Sequence, residues 1–304
     1  MTINVPNWFI EAYNDEVHTL GGTQRQRRLA GVTRGGGTFV GDSVFFPRRG
    51  HVEMYDSPRM AQIAYANAEM DMIEVKAKPK FIRLGIWDPD LNKLSVPLAR
   101  EYAQMVVEAG NKAEDRLIVD ALDRAATTGI TNTKADTTNI ITIGDYDSVA
   151  GLDMVAEAIA TLGAQEMFEG ERCAAVMNYR LKVYNSLDPY MARSDVKNNL
   201  PWNELDWRTY ERLYGNGSNR EGWTIGTDAT GVDTYVFAQS CVRSDYNDKM
   251  TKIEGRDEGA LTTYLGAWFQ GGATGVDATG IIRIKSKANF DMTRVPLPVI
   301  DVGP

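Results

Sequence analysis

One stretch constrains the fold more than any other, because residues 96–129 form the pattern of a single amphipathic helix. Apolar residues recur along it at spacings of three and four, and charged residues fill the opposite face. Pro97 at the start and Gly129 at the end are typical start and stop signals. At about 1.5 Å per residue such a helix would run roughly 45 Å, which is longer than a typical globular helix needs to be. The stretch carries no visible catalytic group, so the pattern predicts a long helix with a structural role. We call this helix, at 96–129, the girder.

Charge is distributed unevenly along the 304 residues. The whole chain has a formal net charge of −8 and a pI near 5.0, which argues against a dedicated nucleic-acid-binding protein. The first fifty residues differ, because they contain more arginines than acidic residues. These arginines are Arg25, Arg27, Arg28, Arg34, Arg48 and Arg49. They indicate either an ordinary solvated surface or a basic arm that meets an acidic partner surface or a polyanion.

The cysteine and apolar patterns indicate a soluble protein in a reducing compartment. Cys173 and Cys241 each lie in a predicted strand, which favours buried free thiols over a disulfide framework. No segment approaches the length that a membrane-spanning helix requires, and the first residues lack a signal-peptide pattern. We therefore expect no membrane association and no export.

The order of predicted elements indicates an α+β chain. Two β-type runs, at 37–50 and 72–87, are separated by about twenty residues and predict a long β-arm. A two-stranded arm is marginally stable by itself in water, so packing on something else is expected. The remaining predictions are a short helix at 6–20, a helix at 145–168, a strand at 172–178, a short helix at 179–187, a loop at 190–222 and three late strands.

No catalytic or metal-binding constellation is visible. His18 and His51 are the only histidines, and neither has a cysteine or carboxylate at metal-ligand spacing. Asp228, Asp233 and Asp277 lie near predicted turns, but their spacing matches no calcium loop. We expect no catalytic residue, no metal and no cofactor.

Several segments together resemble the major capsid proteins of tailed double-stranded DNA phages, which have the Hong Kong 97-type fold. The N-terminal segments are "EVHTL", "RQRRLAGV" and "GDSVFFPRRG", and "AEDRLIVDAL" is similar to the end of the family's long spine helix. The segment from "ITIGDYDSVAGLDMVAEAIATLG" to "RCAAVMNYRLKVYNSL" is similar to the elements that follow that helix. The resemblance covers about residues 10–300, although 190–225 matches no family segment.

The resemblance implies an α+β domain organisation in which two limbs reach neighbouring subunits. The implied parts are an N-terminal arm at 1–36, an extended β-arm loop at 37–90, a peripheral domain with the spine helix at 91–129, an axial domain at 130–245 and a return to the peripheral domain at 246–304. The long helix is then the spine of the peripheral domain. The β-arm is expected to lie over a neighbouring subunit, where the partner supplies the packing that the arm lacks.

The resemblance also implies function and partners. The expected function is a structural virion protein that self-assembles into pentamers and hexamers of an icosahedral head around double-stranded DNA, bound without sequence specificity. A portal and a decoration protein are further expected partners, and assembly is expected in the host cytoplasm. Only about 36 residues precede the β-arm, so we expect a separate scaffold protein. Candidates for inter-subunit contacts are Arg25, Arg27, Arg28, Arg34, Phe45, Phe46, Arg48, Arg49, Lys76 and Lys78.

Three alternatives remain at the level of sequence. The first is a cellular encapsulin-type shell protein of the same fold that carries enzyme cargo, the second is a small-molecule enzyme of the α+β class, and the third is a tail-tube or other virion protein. Some family members cross-link through a lysine of the extended loop, for which Lys76 or Lys78 would be the candidates. The other interpretation of these lysines is that they are edge-strand charges that discourage stray pairing.

Overall fold

The computed structural model describes residues 29–49, 70–87, 96–130, 141–165, 167, 172–186, 205–210, 231–246, 251–257 and 262–287. The helices in these ranges are α1 (Val96–Thr128), α2 (Leu152–Ala164) and α3 (Tyr179–Ser186). The strands are β1 (Thr38–Val40), β2 (Ser43–Arg49), β3 (Met70–Lys76), β4 (Lys78–Trp87), β5 (Ile141–Ile143), β6 (Cys173–Met177), β7 (Leu205–Thr209), β8 (Gly231–Ala238), β9 (Val242–Tyr246), β10 (Thr251–Asp257), β11 (Thr262–Gly275) and β12 (Ile281–Lys287).

The long helix predicted from the sequence is confirmed. Helix α1 has 33 residues, and its apolar stripe packs mainly against the long strand β11. Ile118, Leu122 and Ala125 lie on this stripe, and all three are buried. The helix therefore contributes its second half to the main core.

The strands that the structure describes form three sheets. The first has the order β1-β2-β3, and the second has the order β10-β11-β4 with β9 also paired to β11. The third has the order β5-β12-β8-β6-β7, with α2 packed on it. Strands β6 and β8 are buried at every residue, as expected for central strands of a covered sheet. The main core joins this five-stranded sheet to α1 and α2.

The predicted run at 72–87 divides into two strands that belong to different sheets. Strand β3 pairs with β2 and stays in the β-arm, whereas β4 pairs with β11 over ten residues from Lys78 to Trp87. The division lies at Ala77, whose N–H donates to the carbonyl of Asp42 at 2.8 Å. The β-arm is therefore a three-stranded sheet, β1-β2-β3, and β4 anchors its base in the β10-β11-β4 sheet.

Three further predictions need correction. Helix α2 begins at Leu152 rather than at 145, because Asp145 instead closes a turn by accepting the N–H groups of Asp147 and Ser148. Strand β7 lies inside the region predicted as loop at 190–222, and Cys241 lies in a 3₁₀ turn rather than in a strand. The predicted helix at 6–20 lies outside the described residues.

Candidate functional site

The first described segment of the N-terminal region is fixed to its own subunit. The Arg34 N–H donates to the Val242 carbonyl at 3.0 Å, and the Ser244 N–H donates back to the Arg34 carbonyl at 3.2 Å, so this segment adds to strand β9. The buried Leu29 N–H donates to the Asp115 carboxylate of α1 at 3.1 Å. Residues 29–36 therefore pack on their own chain, although the sequence places them in the N-terminal arm at 1–36.

The β-arm has a small core of its own. Val44, Phe46 and Ala77 are buried together and form a cluster separate from the main core. The outer surface of the same sheet exposes Val40 and Met72, each with 61% of its surface accessible. Both side chains lie on the face of the sheet that points away from Val44 and Phe46.

The contact candidates from the sequence have different positions. Arg34 and Lys76 are exposed, Phe45 and Arg48 are half-buried, and Phe46 is fully buried. Phe46 therefore stabilises the arm from inside, and it does not itself offer surface to a neighbour. The structure describes only the backbone of Arg49 and Lys78, and Arg25, Arg27 and Arg28 lie outside the described residues.

Helix α1 packs closely on β11 because Gly275, which has no side chain, lies where the helix contacts the strand. A Cβ atom at Gly275 would lie 2.6 Å from the Cβ of Ala125 and 3.1 Å from the Cδ1 of Ile281. Both neighbours are buried and cannot move away freely. Gly275 therefore sets the distance between the girder and the sheet.

A polar network joins the end of α1 to the five-stranded sheet. The buried Tyr235 hydroxyl lies 3.1 Å from Asp123 Oδ1 on α1, to which it donates. Arg283 of β12 donates to the Thr127 hydroxyl at 2.9 Å and lies 3.8 Å from Asp123 Oδ1. Both members of this ion pair are largely buried. The network fixes the orientation of the girder relative to the sheet through directional contacts, which apolar packing does not supply.

The loop before α2 extends this network through Tyr146. Its hydroxyl donates to the buried Asp233 carboxylate at 2.9 Å, and its ring lies on Gly231, where a Cβ would be 2.0 Å from the ring. Burial raises the pKa of Tyr146 to about 12, and the negative charge of Asp233 adds to this effect. The phenol is therefore held in its protonated, donating form.

Tyr146 is expected to make stability depend on pH in the alkaline range. Below pH 10 it is protonated in both states, but between pH 10 and about pH 12 only the unfolded chain loses the proton. The free energy of unfolding should therefore fall with rising pH across this window. We expect urea unfolding of Tyr146→Phe to lack this part of the decline. If the free energy of unfolding had the same pH dependence in both proteins, Tyr146 would not be the cause of the decline.

The described residues contain no other arrangement that indicates chemistry. They hold no group of three or more histidine, cysteine or acidic side chains that could bind a metal ion. Asp233 accepts a hydrogen bond from Tyr146, and Asp277 accepts the N–H and hydroxyl of Thr279, so these two carboxylates have structural contacts. Within the same residues, no helix is long and apolar enough to cross a membrane.

Sequence reasoning missed the polar network, although part of its signal was present. Arg283 interrupts the apolar alternation of "IIRIKSK", and Asp233 is an acid within the apolar strand "GVDTYVFA". Charged residues in such strands point to a partner across the sheet. The identity of the partners could not be read, because Asp123 is 112 residues from Tyr235.

The comparison with family models decides the identity. A model described as "phage capsid protein" matches residues 5–181, which is more than half of the chain. The chain belongs to this phage capsid protein family. The matched range contains the β-arm strands, the girder helix and α2, and it ends within α3. No relative among curated proteins matches the capsid protein.

Solved structures establish the Hong Kong 97-type fold for this capsid protein. The capsid subunit of cyanophage Pam1 is similar with a TM-score of 0.58, at 11% identity, over 88% of this chain and 93% of that chain. The capsid of a native GTA particle has a TM-score of 0.56, at 11% identity, over 86% of this chain and 90% of that chain. A virus-like particle from Pyrococcus furiosus has a TM-score of 0.52, at 12% identity, over 90% and 96%.

Family membership settles the coarse function. The capsid protein is a structural shell protein, and its family implies a place in the virion capsid. The encapsulin-type alternative is not favoured, because the family model that matches describes phage capsid proteins. Similarity to the Pyrococcus furiosus particle concerns the fold alone.

Proposed function

We propose that this capsid protein tiles an icosahedral head of pentamers and hexamers around double-stranded DNA, and that its β-arm lies on a neighbouring subunit. The observation that carries the proposal is the exposed apolar surface of the thin β1-β2-β3 sheet, where Val40 and Met72 are mostly accessible. In a lone subunit this surface faces water. In a shell, a neighbour would cover it and so stabilise both chains.

A charge on this apolar surface tests the proposal. We expect the double variant Val40→Asp/Met72→Asp to fold but to yield roughly tenfold fewer shells or less, because a buried unpaired carboxylate costs more than the contact supplies. Shell yield is measured by sedimentation and electron microscopy. The matched control, Val40→Ala/Met72→Leu, keeps the surface apolar and should still assemble. Equal yields from the two variants would show that no neighbour covers this face.

The basic N-terminal segment is proposed to contact either a neighbouring subunit or the packaged DNA. Arg25, Arg27 and Arg28 give it a dense positive charge in an otherwise acidic chain. We expect the triple change of these residues to alanine to lower the yield of particles, whereas the triple change to lysine should retain most of it. Unchanged yield in the alanine variant would identify the cluster as ordinary surface.

The remaining partners of the proposed head are a separate scaffold protein, a portal, a decoration protein and DNA held without sequence specificity. Membership in the capsid family supports these partners. The net charge of −8 bears on DNA alone, since an acidic shell would let DNA enter and leave without strong binding. Assembly in the host cytoplasm belongs to the same proposal. Uniform closed shells formed by the capsid protein alone would exclude the need for a scaffold.

A further inference from the structure

Two adjacent carboxylates lie buried in the middle of the girder. Glu114 is 2% exposed and Asp115 is 5% exposed, and the Oε2 atom of Glu114 is itself shielded from solvent. The buried residues that follow them, Ile118 and Val119, are apolar, so packing of the helix does not by itself require acids here. Carboxylates are rarely buried to this degree unless positive charge compensates them. The pair therefore indicates a cation at contact distance.

One contact of Asp115 identifies the segment that approaches the pair. Its Oδ1 atom accepts the Leu29 N–H at 3.1 Å, and Leu29 itself is 0% exposed. A main-chain amide is a dipole and carries no full charge, so this hydrogen bond compensates the carboxylate only in part. The hydrogen bond nevertheless holds the base of the N-terminal segment against the two buried acids.

Covalent geometry brings a basic residue, Arg28, to the same place. The Leu29 nitrogen that contacts Asp115 is bonded to the carbonyl carbon of Arg28. Two backbone bonds separate this nitrogen from the Arg28 Cα, which keeps that Cα within roughly 6 Å of the Asp115 carboxylate. An arginine side chain is long enough to span this distance. Its planar guanidinium is always charged and can bind two carboxylate oxygens at once.

The basic residues that lie nearest to the pair on the girder are less suitable partners. Arg116 follows Asp115 directly, and side chains one or two positions apart on a helix do not face each other. Lys112 instead forms an i,i+4 ion pair with Glu108 at 3.9 Å, and these two side chains are 63% and 64% exposed. Arg28 is therefore the cation that chain geometry favours for the buried acids.

We propose that the Arg28 guanidinium binds Glu114 and Asp115 of its own subunit and so latches the base of the N-terminal segment to the girder. The inference does not rest on the proposed function, because the contact lies within one chain. It narrows the role proposed above for the basic segment. Arg25 and Arg27 are left to contact a neighbour or DNA, whereas Arg28 fixes the point from which they extend.

Urea unfolding of the unassembled subunit tests this latch. Arg28→Gln would leave the two buried carboxylates without this cation, so we expect the equilibrium constant for folding to fall at least roughly tenfold. The same change should have a much smaller effect in a Glu114→Gln/Asp115→Asn background, because no carboxylate charge is then left to compensate. Arg25→Gln is the matched control and should change the constant by less than about threefold in both backgrounds.

Two outcomes of this comparison would overturn the inference. The first is an equal effect of Arg28→Gln in both backgrounds, which would show that Arg28 acts independently of the acids. The second is an effect of Arg28→Gln no larger than that of Arg25→Gln, which would show that Arg28 is ordinary surface. Because shells are not involved, a failure of assembly would overturn the proposed function alone.

Arginine labelling with phenylglyoxal gives a second test that needs no variant to fold. Mass spectrometry of the labelled parent subunit compares the reaction rates of Arg28 and Arg25. We expect Arg28 to react at least roughly tenfold more slowly, because a guanidinium bound by two buried carboxylates is withheld from the reagent. Where the Glu114→Gln/Asp115→Asn variant folds, its Arg28 should react faster than that of the parent. Equal rates for Arg28 and Arg25 in the parent subunit would overturn the inference.

Discussion

Replacing Leu122 by alanine is expected to lower the free energy of unfolding of the subunit by about 2–5 kcal/mol. Leu122 has 0% exposure at the centre of the main core, on the face of α1 that meets β11 and β12. Truncation removes buried methyl groups and leaves a cavity that close-packed neighbours fill only in part. The measurement is urea unfolding of the unassembled subunit.

The same helix supplies the control for this prediction. Met105 is 52% exposed, so Met105→Ala should change the free energy of unfolding by less than about 1 kcal/mol. If the two variants were equally stable, the girder would not be held by the packing described here. A large loss in Leu122→Ala should also abolish shells, because a subunit close to its unfolding threshold cannot populate the assembling state.

Replacing Gly275 by valine is expected to disrupt the subunit by the opposite mechanism, overpacking. The first added carbon would already lie 2.6 Å from the Ala125 Cβ, and the branched methyl groups would add further overlap. Helix α1 would have to move away from β11, along which it makes its longest contact. Overpacked cores typically lose about 1–3 kcal/mol, and the rigid neighbours here place the expected loss at or above that range.

A second glycine provides the contrast for Gly275. A Cβ at Gly163 of α2 would meet no atom within 4 Å. Gly163→Ala should therefore stabilise the subunit by up to about 1 kcal/mol, because alanine loses less backbone entropy in a helix. Thermal or urea unfolding should show a higher free energy of unfolding for Gly163→Ala and a lower one for Gly275→Val. A stable Gly275→Val subunit would show that the girder and the sheet do not need this close approach.

The girder could be predicted from the sequence because its whole helical pattern lies within one continuous stretch. The helical spacing of apolar residues continues over 96–129, which is too long for a strand. The helix ends at Thr128, next to Gly129, as the sequence indicates. The β-arm was also visible from its β-type runs and the long loop between them. Strands β3 and β4 were not separated, because they form one β-type run in the sequence and only long-range pairing with β2 or β11 divides them.

Other elements depend on contacts that no local pattern encodes. Strand β7 has five residues, and its pairing is parallel to β6, so it exists only because that neighbour is present. Helix α2 was extended too far toward its start, since Val149 continues the apolar stripe while Asp145 closes a turn. The network of Tyr235, Asp123 and Arg283 likewise joins residues from distant parts of the chain.

The structure therefore presents a subunit with a packed centre and a β-arm that, as we propose, a neighbour covers in the shell. Network contacts and glycine-dependent packing fix the girder to the five-stranded sheet and to β11. The arm, by contrast, has a three-residue core and exposes two large apolar side chains. A packed body that carries an arm with exposed apolar side chains is suited to the self-assembly that we propose.

Electron microscopy of the purified full chain, expressed alone, tests the central claim most directly. We expect lattices built from this 33.7 kDa chain, as irregular sheets, tubes or shells when the scaffold is absent, with each β-arm lying on an adjacent copy. Isolated particles of a single chain at every concentration, with the β-arm covered by its own subunit, would contradict it.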